Sequence, residues 1–146
     1  MANIFEYFKG TLTELIQKSK EKSSTLTKAI VARVSKSLVE DLKVQGVLIS
    51  EEYVHVVDNN AIRHTLNHHG GDAEVARGQV PLTEEILLSI PEIVTHYDSL
   101  TTSKNRRGQD VILYSKTYDN GVTIYVEEVR SGRKELAMDT MYIQKK

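Results

Sequence analysis

The chain has 146 residues, 40% apolar and 27% charged, which is enough for one hydrophobic core and argues against wholesale disorder. It contains no cysteine, so disulfides, thiolate zinc sites and thiol nucleophiles are excluded. The net charge of −1 hides a partition: residues 1–50 carry 8 Lys/Arg against 5 Asp/Glu, residues 51–100 carry 2 against 9, and residues 101–146 carry 9 against 6. A polyanionic partner is therefore expected to meet the two ends of the sequence rather than its middle. No apolar run approaches the roughly 18 residues needed to span a bilayer. The N-terminus lacks a basic lead-in to an apolar stretch, so a cytoplasmic setting and no membrane partner are expected.

In chain order, Ile4, Phe5, Phe8, Leu12, Leu15 and Ile16 form one helical stripe, followed by Lys18, Lys20 and Lys22. Ser23, Ser24 and Thr25 break the pattern and offer N-caps for a second helix to about Lys43, carrying Leu26, Ile30, Val31, Val34, Leu38, Val39 and Leu42. Residues 1–50 thus read as a helical N-terminal segment, and 51–146 as a separate α+β domain. Tyr53–Val57 is a short strand that runs into Asp58-Asn59-Asn60, the cap of a helix from Ala61 to His69, closed by Gly70-Gly71. Residues 72–80 read as a polar loop or broken helix. Thr83 caps a short helix, Pro91 begins another, and Ser99–Gln109 reads as a polar, basic loop.

From Asp110 the hydrophobic period changes to two, giving strands Val111–Tyr118, Val122–Arg130 and Glu135–Ile143. Asn120-Gly121 and Ser131-Gly132 supply two-residue turns. The expected fold is α+β, with N-terminal helices packed on a small C-terminal antiparallel β-meander. In this register one face reads Val111, Leu113, Val122, Ile124, Val126, Ala137, Met141 and Ile143, a core. The other reads Tyr114, Lys116, Tyr118, Thr123, Tyr125, Glu127, Thr140 and Tyr142. An antiparallel sheet often leaves one face to water, so tyrosines and threonines there have an ordinary explanation. The functional alternative is a surface on which bases stack and a lysine meets phosphate. Arg130, at a strand end, is either a phosphate clamp or a solvated hairpin residue.

Three of the five histidines fall in Arg63–Gly71. His64 and His68 have metal-ligand spacing, yet no third ligand is evident and Thr65 stands where a zincin helix needs Glu. His69 falls in the last helical turn, a place suited to acid–base work; an exposed helix end without function is the alternative.

The stretch from residue 58 onward resembles the phage group of barnase–EndoU–colicin–RelE-like nucleases, domains often fused to phage head-morphogenesis proteins. The resemblance rests on Ala61-Ile62-Arg63-His64 with His69-Gly70, Arg77–Thr83, Ile90–Val94 with Tyr97-Asp98, the Ile112–Lys116 strand, Val126–Arg130, Lys134–Ala137 and Thr140–Tyr142. It implies a metal-independent endoribonuclease, without cofactor, whose sheet carries the active site: a phage-encoded or mobile-element toxin. It implies His64 and His69 as helix-borne imidazoles, Lys116 and Arg130 as strand cations, and Thr140 and Tyr142 as last-strand hydroxyls, with Glu127 a second candidate base. Tyr114, Tyr125, Arg77 and Lys134 are the expected RNA contacts. The reaction expected is attack of a 2′-hydroxyl on the adjacent phosphate. RNA is the expected partner, with a cognate inhibitor protein or a phage head protein as further partners. The rival readings are a non-catalytic phage-derived module that binds protein or nucleic acid, and a metal-dependent hydrolase built on His64 and His68.

Overall fold

The computed structural model describes residues 4–20, 27–71 and 79–145. The serine-rich break at residues 23–25, most of the 72–80 segment, and Arg77 lie outside them. The elements run α1 (Ile4–Ser19), β1 (Lys28–Arg33), α2 (Lys36–Val44), β2 (Val54–Asp58), α3 (Asn59–His69), α4 (Glu84–Leu87), α5 (Ile90–Thr95), β3 (Ser99–Lys104), β4 (Asp110–Tyr118), β5 (Gly121–Arg130), a 3-10 turn (Ser131–Arg133) and β6 (Glu135–Gln144). The fold is α+β, and its six strands form one mixed sheet in the order β1-β2-β6-β5-β4-β3. Among the described strands only β2 and β6 pair in parallel.

Two segments depart from the sequence expectation. Residues 28–33 were expected in a helix and form the edge strand β1. Ile30 and Val31 are β-branched and suit a pleated strand. Ser35, whose hydroxyl accepts from the Leu38 amide at 3.1 Å, starts the helix only at Lys36. Residues 99–104, expected as loop, form the opposite edge strand β3, with Leu100 and Thr102 half-buried and their neighbours exposed. Short polar strands are what a sheet edge favours, and their weak apolar signal hides them in the sequence.

The hairpin registers settle which face is core. Tyr118 pairs with Gly121, so the first turn is Asp119-Asn120, two places from the expected register. Gly121 has φ +144, and a Cβ there would meet the Gln144 carbonyl oxygen at 2.3 Å. Along β6 a bulge opposite Val126/Glu127 breaks the alternation, putting Leu136 and Met138 on the same side as Met141 and Ile143.

That side also carries Ile112, Tyr114, Tyr125 and Val129. It packs with Leu12, Leu15, Leu38, Leu42, Ile62, Leu87 and Ile93 from the helices into one core. The helices therefore cover the tyrosine face, the reverse of the expectation. Two tyrosine rings bring more area to bury than the valines opposite, and aromatic burial dominates a core of this size. Val56, Val111, Val126 and Ala137, on the other face, are buried without joining that core, while Leu113, Ile124, Thr140 and Tyr142 around them are half-exposed.

Candidate functional site

Under the helices, Glu127 is fully buried and accepts from the Tyr114 hydroxyl at 2.5 Å, with His55 Nδ1 2.8 Å from its other oxygen. Tyr114 stacks obliquely on Tyr125, ring centroids 5.9 Å apart, and both are fully buried. Desolvation pushes both phenols well above their ordinary range, and the Glu127 carboxylate adds to it. His55 Nε2 and the Tyr125 hydroxyl are buried without a hydrogen-bond partner among the described residues. The expectation that Tyr114 and Tyr125 form an open stacking surface is thus corrected: their rings are core. Glu127 as a base beside solvent is corrected likewise, because its carboxylate is locked between a histidine and a tyrosine.

The opposite face holds the neighbouring carboxylate. Glu128 is 8% exposed. One of its oxygens accepts from Arg107 Nη2 at 2.6 Å and Asn105 Nδ2 at 3.1 Å, the other from Arg130 Nε at 3.2 Å. With its amide nitrogen turned inward, Gln109 donates to the same carboxylate at 3.1 and 3.2 Å. Asn105 shapes the loop that delivers these donors: its Oδ1 accepts from the backbone amides of Arg107 and Gln109, both at 3.0 Å. A cavity of about 480 Å³ opens here, lined by Arg107, Gln109, Glu128, Arg130 and Arg133. Such a cluster pairs a desolvated carboxylate with guanidinium groups matched to a phosphate.

Farther along the same face lie Thr140, opposite Val126, and Tyr142, opposite Ile124. Helix α3 leaves β2 through the Asp58 cap, whose carboxylate accepts from the Ala61 amide at 2.7 Å, and packs along β6. Its last residue, His69, meets Tyr142 with ring centroids 5.5 Å apart. The Leu82 amide donates to the His69 carbonyl at 2.7 Å and Val80 bridges to Ile143, fixing the helix end beside the strand.

The structure therefore brings His69 to Tyr142, whose strand face Thr140 shares, and puts Arg130 on that face nearer the other strand end. It does not bring in the remaining residues. His64 is exposed and its ring lies 4.2 Å from that of His68. Lys116 is on the helix-covered side, where its Nζ donates to the His96 carbonyl at 2.7 Å. Lys134, left-handed at φ 54, pairs with Glu52 beyond the β5–β6 turn. Arg77 lies outside the described residues. Among those residues no group of three or more His, Asp or Glu is placed to hold a metal ion, and no helix is long and apolar enough to cross a membrane.

Sequence reasoning missed Glu128, Arg107 and Asn105. One signal was present: Glu128 and Arg130, two apart in a strand, must share a face.

A family model described as phage-Barnase-EndoU-ColicinE5/D-RelE like nuclease 3 matches residues 28–146, so the match begins at β1 and takes in the whole sheet. Neither a curated protein nor a solved structure matches the chain.

Proposed function

The chain belongs to the phage-Barnase-EndoU-ColicinE5/D-RelE like nuclease 3 family, and from that membership, which implies a nucleic-acid substrate, we propose that it is a metal-independent endoribonuclease acting through the 2′-hydroxyl. One observation carries the reading: a carboxylate held among guanidinium groups shares the face opposite the helices with Tyr142, whose ring meets that of His69 at the end of α3.

Glu128 and Tyr142 flank the stretch of this face that would receive the scissile phosphate. Their β5 and β6 positions are four residues apart along the ladder, about 13 Å at a rise of roughly 3.3 Å per residue. A phosphodiester with its two sugars lies across that stretch. An incoming phosphate competes with Glu128 for Arg107 and Arg130 and frees the carboxylate to accept a proton. Glu128 takes the 2′-hydroxyl proton as that oxygen attacks phosphorus. The bond to the 5′-oxygen breaks, and protonated His69 gives that oxygen its proton. The products are a 2′,3′-cyclic phosphate and a 5′-hydroxyl, and exchange with water resets both groups. Arg130 and Arg107 balance the charge that builds on the phosphoryl oxygens. The Thr140 and Tyr142 hydroxyls orient the phosphate between base and acid.

The test is a pair of oligonucleotides, one all-ribose and one with a single 2′-deoxyribose at the mapped cleavage position. The reading expects the first to be cut there and the second to remain intact at that bond. Equal cleavage of both would overturn it.

A further inference from the structure

The cavity of about 480 Å³ at Glu128 does not end there: its lining runs on past Arg130 into the β5–β6 turn, to Ser131, Gly132 and Arg133. We propose that this turn end, with Arg133 as its principal cation, is a second phosphate subsite. It takes the phosphate on the 5′ side of the nucleotide whose 2′-hydroxyl attacks. The inference rests on the nuclease reading above and extends it from one phosphate to two.

Three observations carry it. The first is charge. The guanidinium groups of Arg107, Arg130 and Arg133 line the cavity against the single carboxylate of Glu128, in a chain whose net charge is −1. Two of the three already hold that carboxylate. The cavity therefore concentrates a surplus of positive charge, which suits an anion.

The second is unused donors. A guanidinium carries five N–H groups in a planar fork that matches phosphate oxygens. Among the described residues, Arg107 engages only Nη2 and Arg130 only Nε, which leaves both terminal nitrogens of Arg130 without a partner. The side chain of Arg133 makes no hydrogen bond or ion pair among those residues, and the residue is exposed. Lys134 differs: its ammonium pairs with Glu52 and does not line the cavity.

The third is position, which also gives the direction of the strand. Along this face Tyr142 lies opposite Ile124, Thr140 opposite Val126, and then come Glu128, Arg130 and the turn. Arg130 is two residues past Glu128, about 7 Å at a rise of roughly 3.3 Å per residue, a step comparable to one nucleotide of an extended strand. In the reaction proposed above, Glu128 takes the 2′-hydroxyl proton and His69 serves the leaving 5′-oxygen. The attacking nucleotide therefore lies at the Glu128 end, and its 3′ neighbour lies toward Tyr142. Passing from Glu128 to the turn is movement in the 5′ direction.

The experiment compares cleavage by the full chain of a ribodinucleotide with no further phosphate, the same with a 5′-phosphate, and the same with a 3′-phosphate. At low salt kcat/KM is expected to rise about tenfold to a hundredfold with the 5′-phosphate, and not with the 3′-phosphate. A trinucleotide extended by one nucleoside on the 5′ side presents the same phosphate as a diester. A gain there as well assigns the subsite to continuing strands, and a gain confined to the monoester assigns it to strand ends. In Arg133→Ala the ratio of rates with and without the 5′-phosphate should fall to about one, with the melting temperature unchanged. Lys134→Ala removes the same charge one residue on and should keep the ratio. Equal rates on all substrates, a gain from the 3′-phosphate alone, or the same loss in both variants would overturn the subsite and leave the nuclease reading intact. If no substrate is cut, the nuclease reading falls, and calorimetry on the 2′-deoxy dinucleotides decides the subsite separately. A 5′-phosphate gain in affinity that Arg133→Ala abolishes keeps it, and no such gain removes it.

Discussion

Glu127 and Glu128 are adjacent in β5, and their carboxylates lie on opposite faces of the sheet: one sealed between His55 and Tyr114, the other held by Arg107, Asn105 and Arg130. Two residues of the same type, one bond apart, thus have unrelated roles. Substituting each by glutamine separates them. Glu127→Gln replaces the carboxylate that accepts from Tyr114 and meets His55 with an amide, at a cost of about 1.5–3 kcal/mol for hydrogen bonds to a charged group. For a chain of this size that lowers the melting temperature by roughly 3–12 °C in a calorimetric scan. Glu128→Gln should melt within a few degrees of wild type and lose about 100- to 10,000-fold in kcat/KM on RNA.

The two buried tyrosines differ in what their hydroxyls do. Tyr114 donates to Glu127, whereas the Tyr125 hydroxyl has no partner among the described residues. Tyr114→Phe therefore removes a hydrogen bond to a charged group and should cost about 1.5–3 kcal/mol. Tyr125→Phe should be neutral or stabilising, within about 1 kcal/mol. Urea denaturation of the two variants reads the difference directly.

Burial also links these phenols to alkaline stability. Desolvation, with the Glu127 charge added, raises both above the ordinary value of 10.0. The unfolded chain thus releases these protons at lower pH than the native state does. Their contribution to stability is complete below about pH 10 and is lost as the pH rises above it. Tyrosinate absorbance from these two rings should appear only together with loss of the folded circular dichroism signal. In Tyr114→Phe/Tyr125→Phe the alkaline absorbance step should shrink by two tyrosines.

Among the helix-borne imidazoles, His69 meets Tyr142 and His64 meets His68. His69→Ala is expected to lower kcat/KM by about 100- to 10,000-fold, and His64→Ala by less than about tenfold, with both proteins folded by circular dichroism. The reverse order would place the chemistry on the outer side of α3.

Arg107 and Arg130 hold the Glu128 carboxylate at one end of the proposed phosphate path, so alanine at either should weaken binding of a non-cleavable 2′-deoxy strand. Each should also lower the slope of log affinity against log salt by about 0.7, the amount expected for one phosphate contact to a single strand. A fluorescence anisotropy titration at several salt concentrations measures both effects.

Much of the architecture was legible in the sequence. The period-two pattern from Asp110 marks the three central strands, although their turns lie at Asp119-Asn120 and Ser131–Lys134 and not at the expected Asn120-Gly121 and Ser131-Gly132. The Asp58 and Thr83 caps fix where α3 and α4 begin. The edge strands were not legible, because β1 reads as part of a helical row and β3 is almost wholly polar. The orientation of the sheet was hidden for a different reason. Alternation separates the residues of a strand into two sets, yet it does not say which set the helices cover. Here the set with tyrosines and a glutamate is inside, and the hydrogen bonds of Glu127 with Tyr114 and His55 make the carboxylate's burial tolerable. Pairing Glu128 with Arg107 needed a contact between strand and loop that no local pattern encodes. His69, Arg130, Thr140 and Tyr142 could be listed as candidates from the sequence, but their shared face follows from the β6 bulge and the path of α3.

The most direct measurement is end-group analysis of RNA incubated with the purified chain in excess EDTA. The account predicts fragments ending in 2′,3′-cyclic phosphate with 5′-hydroxyl partners, formed at the same rate with and without the chelator. RNA left intact, or fragments with 5′-phosphate ends formed only when EDTA is omitted, would contradict it.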